Sequence, residues 1–123
     1  MKESLIKDKS YRFALIIIGL YRLLIKLNEH VLSKQLLKAG TSIGANVEEA
    51  LAGQSRADFL SKMSIASKEA RETNYWLRLL RDSKFLDIKH LEHPLAESDT
   101  IVRILTSIVK TTAKNNKKNS KQF

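Results

Sequence analysis

Six glutamates and two histidines are the side chains whose spacing invites chemistry in this 123-residue sequence. A di-iron centre in a helical bundle draws a Glu-x-x-His pair from each of two helices and one further Glu from each of the others. Glu48, Glu49, Glu69 and Glu72 supply carboxylates, but Glu69 is followed three residues on by Glu72, and no histidine occurs between His30 and His90. The ligand set stays incomplete. His90 and His93, with Glu92 and Glu97 nearby, have a spacing that a zinc ion could use. The two histidines stand beside Pro94 in what reads as a link, where ordinary surface histidines are the plainer reading. Glu69 and Glu72 as an acid–base pair would sit on adjacent turns of one helix with no nucleophile and no phosphate loop. Ser61 and Ser64 lack triad partners. No catalytic residue, metal or cofactor follows, and the expectation is a protein that is not an enzyme.

The same carboxylates raise a packing question. Ile65, Glu69, Glu72, Trp76 and Leu79 share one helical stripe, so two acids lie between bulky apolar neighbours, where desolvation is costly unless they are paired. The preceding helix carries Ser42, Asn46 and Glu49 at i, i+4 and i+7, and this polar stripe, or a nearby cation, is the expected partner.

A second stripe is basic. Lys68, Arg71, Tyr75 and Arg78 recur at three-four-three spacing with no acid among them. Cations at repeated spacing suit a phosphate backbone, and an aromatic among them can stack on an unpaired base. Taken alone, such a stripe is also an ordinary solvated helix face. Arg22 and Lys26 on the first helix are further cations for the same role. The whole chain carries +9, from 22 basic and 13 acidic residues. Five of those lysines follow Val109 in a stretch without acids; setting them aside leaves 17 bases against 13 acids, a body of +4. That tail reads equally as an attractor of nucleic acid or anionic lipid and as a solvated end.

The elements that must position these groups are helices. Pro occurs once and Gly four times, and Leu, Ile, Ala and Lys dominate, which favours an all-α protein. The length suits one domain. Cysteine is absent, which rules out disulfides and thiolate sites and fits a reducing cytoplasm. The most apolar run, Phe13 to Ile25, is interrupted by Arg22 and falls short of the ~20 residues a bilayer span needs. A soluble, cytoplasmic protein without membrane contact is expected.

Helix 1 is expected from Ser4 or Ser10 to Asn28, with Phe13, Ile17, Leu20, Leu24 and Leu27 as its seam. Leu15, Ile16, Ile18, Leu23 and Ile25 lie outside that seam, an apolar excess that calls for self-association. Helix 2 is expected from Val31 to Ala52. Its Gly40-x-x-x-Gly44 pattern costs helix stability and so implies close helix approach or a bend. Ser55 should cap helix 3, which runs to Asp82 with Phe59, Met63, Ala66, Ala70, Thr73, Leu77 and Leu80 inward. Helix 4 is expected from Ala96, after a kink or restart at Pro94, with Ile101, Ile104, Leu105 and Ile108 inward. The pattern fades after Thr112. Four helices with short links predict an up-down-up-down antiparallel four-helix bundle over 1–112 and a flexible basic tail over 113–123.

The stretches Thr41-Ser-Ile-Gly-Ala-Asn46, Glu49-Ala50, Asp58-Phe59 and Ile65-Ala-Ser-Lys-Glu-Ala-Arg-Glu72-Thr-Asn-Tyr-Trp76-Leu resemble a bacterial family. It is the four helix bundle protein family encoded in intervening sequences of 23S ribosomal RNA genes, similar in turn to the accessory variability determinant proteins of diversity-generating retroelements. The resemblance spans Tyr11 to Thr112. It implies a subunit of a barrel-like homopentamer with a basic surface or pore that binds nucleic acid, RNA or DNA. It also marks Ser42, Asn46, Glu49, Glu69, Glu72 and Trp76 as signature residues of structural character, with Lys68 and Arg71 as basic positions inside the motif. The expected function is an oligomeric, sequence-tolerant nucleic-acid-binding accessory protein. The alternative is an adaptor bundle holding a partner protein such as a reverse transcriptase.

Overall fold

Four helices account for nearly all of the chain in the computed structural model, which describes residues 2–121, with side chains through Lys118. They are α1 (Lys2–Lys26), α2 (Leu32–Leu51), α3 (Arg56–Asp82) and α4 (Glu92–Lys121), with a single 3-10 turn at Ile88–His90. No strand occurs among the described residues, so the fold is all-α. Each helix packs on its neighbours in sequence, and α4 closes the bundle against α1. Cross-helix pairs mark the registers: Gly40 against Ile17, Lys62 against Glu49, Arg71 against Thr106, and Lys9 against Glu97.

The turn between α1 and α2 shows how a short link is written in sequence. Asn28 adopts φ 64°, a left-handed position that asparagine tolerates better than most residues. Its N–H donates to Ile25 and the Glu29 N–H donates to Leu24, at 2.9 and 2.8 Å. This is the Schellman pattern, and it satisfies carbonyls that the helix end would otherwise strand. The Glu29 carboxylate then accepts from the backbone N–H groups of Val31, Leu32 and Ser33 at 3.3, 3.0 and 2.6 Å, so one side chain caps α2. Burial works against the charge of Glu29, but the three N–H donors outweigh it and hold the carboxyl below its ordinary value. A depressed acid stabilises the fold above its unfolded value of about 4.3, and that contribution is lost as pH falls through the lower folded value. Glu29→Ala is therefore expected to lower stability by about 1 kcal/mol at neutral pH. The gap between variant and wild-type melting temperatures should shrink in acid.

The α1–α2 contact depends on Gly40. A Cβ there would stand 2.7 Å from both Cγ atoms of Ile17, which is itself fully buried. Ile17 is β-branched and stiff at χ1, so it cannot easily yield. The GxxxG pattern thus serves close approach. In Gly40→Ala, a gain of about 1 kcal/mol in helix propensity competes with roughly 1–3 kcal/mol of overpacking. A lower urea midpoint is expected.

The core follows the expected seams with few exceptions. Phe13, Ile17, Leu20 and Leu24 are buried, and Ile6 extends the seam toward the N-terminus. Leu27 falls beyond the helix end and is about half exposed. Ser55 caps α3 by accepting from the Asp58 N–H at 3.1 Å. Phe59 and Ile104 are half-buried rather than central.

Helix 4 differs from expectation at both ends. Asp87 accepts from the Lys89 N–H and sets up the 3-10 turn, after which α4 begins at Glu92. Pro94 lies within the first turn, where its missing N–H would have had no intrahelical partner, so it neither kinks nor restarts the helix. At the far end the helix continues to Lys121, past Thr112 where the apolar pattern fades. Lysine and alanine are good helix formers, and extending an existing helix adds one hydrogen bond per residue without a new nucleus. The segment expected as a tail therefore opens as a continuation of α4.

Candidate nucleic-acid interface

The basic face is built where α3 meets α4. Lys68, Arg71, Tyr75 and Arg78 are all exposed on α3. Arg71 reaches across to α4 and donates to the Thr106 hydroxyl at 3.0 Å. Arg78 donates to the Asn74 amide oxygen at 2.9 Å, while the Asn74 amide nitrogen donates to Ser98 and Asp99 at 2.8 and 2.9 Å. Both guanidinium groups are thus tied to α4, one directly and one through Asn74. The Arg78 guanidinium also lies 5.7 Å from the centre of the Tyr75 ring, in cation–π range. The Tyr75 ring meets Trp76 edge to face at 5.2 Å. The result is an ordered aromatic–guanidinium surface, the combination on which unpaired bases stack.

Sequence reasoning missed the other half of this face. Arg103, Lys110, Lys114 and Lys117 are exposed on α4 at seven-four-three spacing, which puts them on one stripe beside Thr106. Reading Lys114 and Lys117 as tail residues concealed them; carrying the helical period past Thr112 would have found them. The ion pairs among the described residues are Lys9–Glu97, Lys62–Glu49 and Arg81–Asp82, and none involves a cation of this face. Asp99, held by Asn74, and Asp82, one turn beyond Arg78, are acids that border this face. Arg22 and Lys26 are exposed elsewhere: α1 packs on α2 and α4, diagonally across from α3. The structure does not bring them together with the α3 stripe within one subunit.

The signature residues form a separate surface on the α2–α3 side. Glu49 pairs with Lys62 of α3 at 3.8 Å. The Ser42 hydroxyl donates to the Lys38 carbonyl at 2.6 Å, and the Asn46 amide donates to the Ser42 carbonyl at 2.8 Å. Ser42 and Asn46 thus bond to their own helix and Glu49 to Lys62, none of them to the α3 carboxylates, which corrects the expected cross-helix network. Backbone acceptors one turn away are the nearest partners for such short side chains. Glu72 accepts from the Trp76 indole N–H at 3.3 Å. Glu69 is half-buried, and burial, followed by the neighbouring Glu72 charge, raises its carboxyl, with Lys68 and Lys38 pulling the other way. The Thr73 hydroxyl donates to the Glu69 backbone carbonyl at 2.7 Å, but no hydrogen bond or ion pair holds the Glu69 carboxylate among the described residues.

Among the described residues no three His, Cys, Asp or Glu side chains converge as metal ligands. None of the helices is long and apolar enough to cross a membrane. A cleft of about 680 Å³ between Lys2, Gln54, Arg56, Phe59, Thr112 and Asn115 contains none of the residues of the basic face and none of the α2–α3 signature residues.

No curated protein matches the chain. Among solved structures it is similar to a protein with unknown function from the S23 ribosomal protein family of Bacteroides thetaiotaomicron. The two are 48% identical, with a TM-score of 0.85 over 89% of this chain and 99% of that one. The family model for 23S rRNA-intervening sequence proteins matches residues 2–107, which covers α1 to α3 and α4 as far as Ser107; Lys110, Lys114 and Lys117 lie beyond the match. With four helices in the order and lengths described, the chain belongs to the 23S rRNA-intervening sequence protein family.

Proposed function

We propose that this chain is one subunit of an oligomeric, non-enzymatic accessory protein of the bacterial cytoplasm that binds RNA or DNA without reading sequence. The observation that carries this reading is the α3–α4 face, where Arg71 and Arg78 are fixed by hydrogen bonds to or through α4 and continue into Arg103, Lys110, Lys114 and Lys117. Fixed cations neutralise phosphates with less loss of side-chain freedom than floppy ones. The up-down-up-down arrangement is supported by the cross-helix pairs, in which rising numbers on one helix meet falling numbers on the next: Ser10 with Gly44 and Ile17 with Gly40. Apolar residues left open on α1, with Leu15 at 55% exposure, support the oligomer. A homopentamer is the form the family resemblance favours.

The test is binding of fluorescent single-stranded RNA and DNA across a salt series. Affinity should fall steeply, with each phosphate contact adding about 0.7–0.9 to the slope of log K against log salt. Scrambling the sequence should leave it unchanged. Absence of binding, or binding indifferent to salt, overturns the reading. The second reading, an adaptor for a protein such as a reverse transcriptase, draws on the half-open apolar and acidic face of Ile65, Glu69, Glu72 and Trp76. A stable complex with such a partner that survives nuclease treatment would favour it.

A further inference from the structure

Two stripes with the same helical spacing lie on diagonal helices of the bundle. On α1, Tyr11, Leu15, Ile18 and Arg22 follow a four-three-four rhythm, with Lys26 one turn further; Tyr11 is 60% exposed, and both cations are fully on the surface. On α3, Ile65, Glu69, Glu72 and Trp76 follow the same rhythm, with Ile65 39% exposed and the other three half-buried. Each stripe mixes apolar and charged groups, and the charges are opposite. Each is also short of partners. Arg22 and Lys26 make no ion pair among the described residues, and Glu69 is partly desolvated without a bonded cation.

We propose that these stripes are the two halves of one contact between copies of this chain, with Ile18, Arg22 and Lys26 of one copy seated on Ile65, Glu69 and Glu72 of the next. The inference rests on the oligomeric reading above and adds the faces and the residues that meet. Setting Ile18 on Ile65 brings Arg22 to Glu69 and Lys26 beside Glu72, since α1 advances by four and four residues where α3 advances by four and three. Running the helices in opposite directions and pairing Tyr11 with Trp76 instead would set Leu15 and Ile18 against the two carboxylates and leave Arg22 on Ile65. The antiparallel register with Ile18 on Trp76 matches the charges equally well, so complementarity fixes the two faces and the symmetry of the assembly fixes the direction. In an up-down-up-down bundle α1 and α3 point the same way. Two copies related by rotation about an axis along the bundle keep that direction, whereas a two-fold axis across the bundle reverses it. The contact is heterologous, since the two copies use different surfaces, and repeated rotation closes it into a ring. Arg22 and Lys26 then serve assembly, leaving the α3–α4 face for nucleic acid.

The absence of cysteine makes the test clean. Ile18→Cys and Ile65→Cys are prepared separately, mixed under mild oxidation and examined by non-reducing electrophoresis. Cross-linked dimers should form between unlike variants and not within either one, and a chain carrying both changes should give a ladder that ends at the ring. In parallel, Arg22→Glu and Glu69→Arg should each reduce the assembly to monomers in native mass spectrometry, with helical circular dichroism unchanged. Combining them should restore it. A wild-type chain that is monomeric at micromolar concentration removes the oligomeric reading itself. An oligomer whose Ile18→Cys variant links to itself, or whose charge swap fails to restore assembly, leaves oligomerisation standing and overturns this contact.

Discussion

Changing Arg71, Arg78 and Lys110 together to glutamate is expected to weaken binding of nucleic acid roughly 100-fold for single strands to 500-fold for duplex at about 0.1 M salt. The figure comes from counterion release: three contacts at about 0.7–0.9 each in the salt slope amount to about 2.1–2.7 decades relative to 1 M. The slope itself should drop by about 2–3. Repulsion by the new carboxylates adds to the loss. Because net charge alone steers nucleic acid, the control is Lys7, Arg12 and Lys34 changed to glutamate, three exposed cations on α1 and α2 with the same change in charge. That control should lose far less affinity. Folding should survive the first set, since all three positions are exposed and the bond from Arg71 to Thr106 lies at the surface. Equal losses in both sets would mean that the protein attracts nucleic acid only through its overall field.

The largest effect on stability is expected from Phe13→Ala. Phe13 is the bulkiest fully buried side chain, 1% exposed, and belongs to the cluster joining Ile17, Leu36, Leu77 and Leu105. Removing a buried phenyl ring typically costs about 3–5 kcal/mol, from lost transfer energy and from the cavity left behind. A domain of this size has about 5–15 kcal/mol in total, so the variant should unfold at a much lower urea concentration with an unchanged slope. Tyr11→Ala, two residues away and 60% exposed, should leave the midpoint nearly untouched in the isolated subunit. A small effect at Phe13 would mean that the neighbouring helices close over the gap.

Much of this architecture was legible in the residues because the cues were local and redundant. Phe13, Ile17, Leu20 and Leu24 announce a helix face by spacing alone, and Ser55 followed by Asp58 announces a helix start. Pro94 misled because proline ends a helix in its interior but suits its first turn. The α4 stripe was hidden for a different reason. Lysine and asparagine after Thr112 lack an apolar partner face, and periodicity is read from apolar residues. Hydrogen-bond partners were the least legible feature: Ser42 and Asn46 were in reach of two carboxylates in sequence pattern, yet their backbone neighbours one turn away were closer. Asn74 drew no notice as a residue type, although it links Arg78 to α4.

The closure of α4 on α1 also sets an order in time. Lys2 donates to the Ser107 hydroxyl at 2.6 Å across 105 residues of chain, and Ile101, Leu105 and Ile108 complete the buried core. A ribosome adds roughly 5–20 residues per second, so the 25 residues from Ser83 to Ser107 take about 1–5 s to make. During that interval the first three helices exist without α4, and the parts of α1 and α3 that α4 covers are left bare. A chain that ends after Asp82 is therefore an open trough with a bare apolar floor, and it would stick to other nascent chains or to chaperones. The last helix to be synthesised is the lid of the core as well as half of the basic face, so no partly made subunit can present that face before its core is sealed.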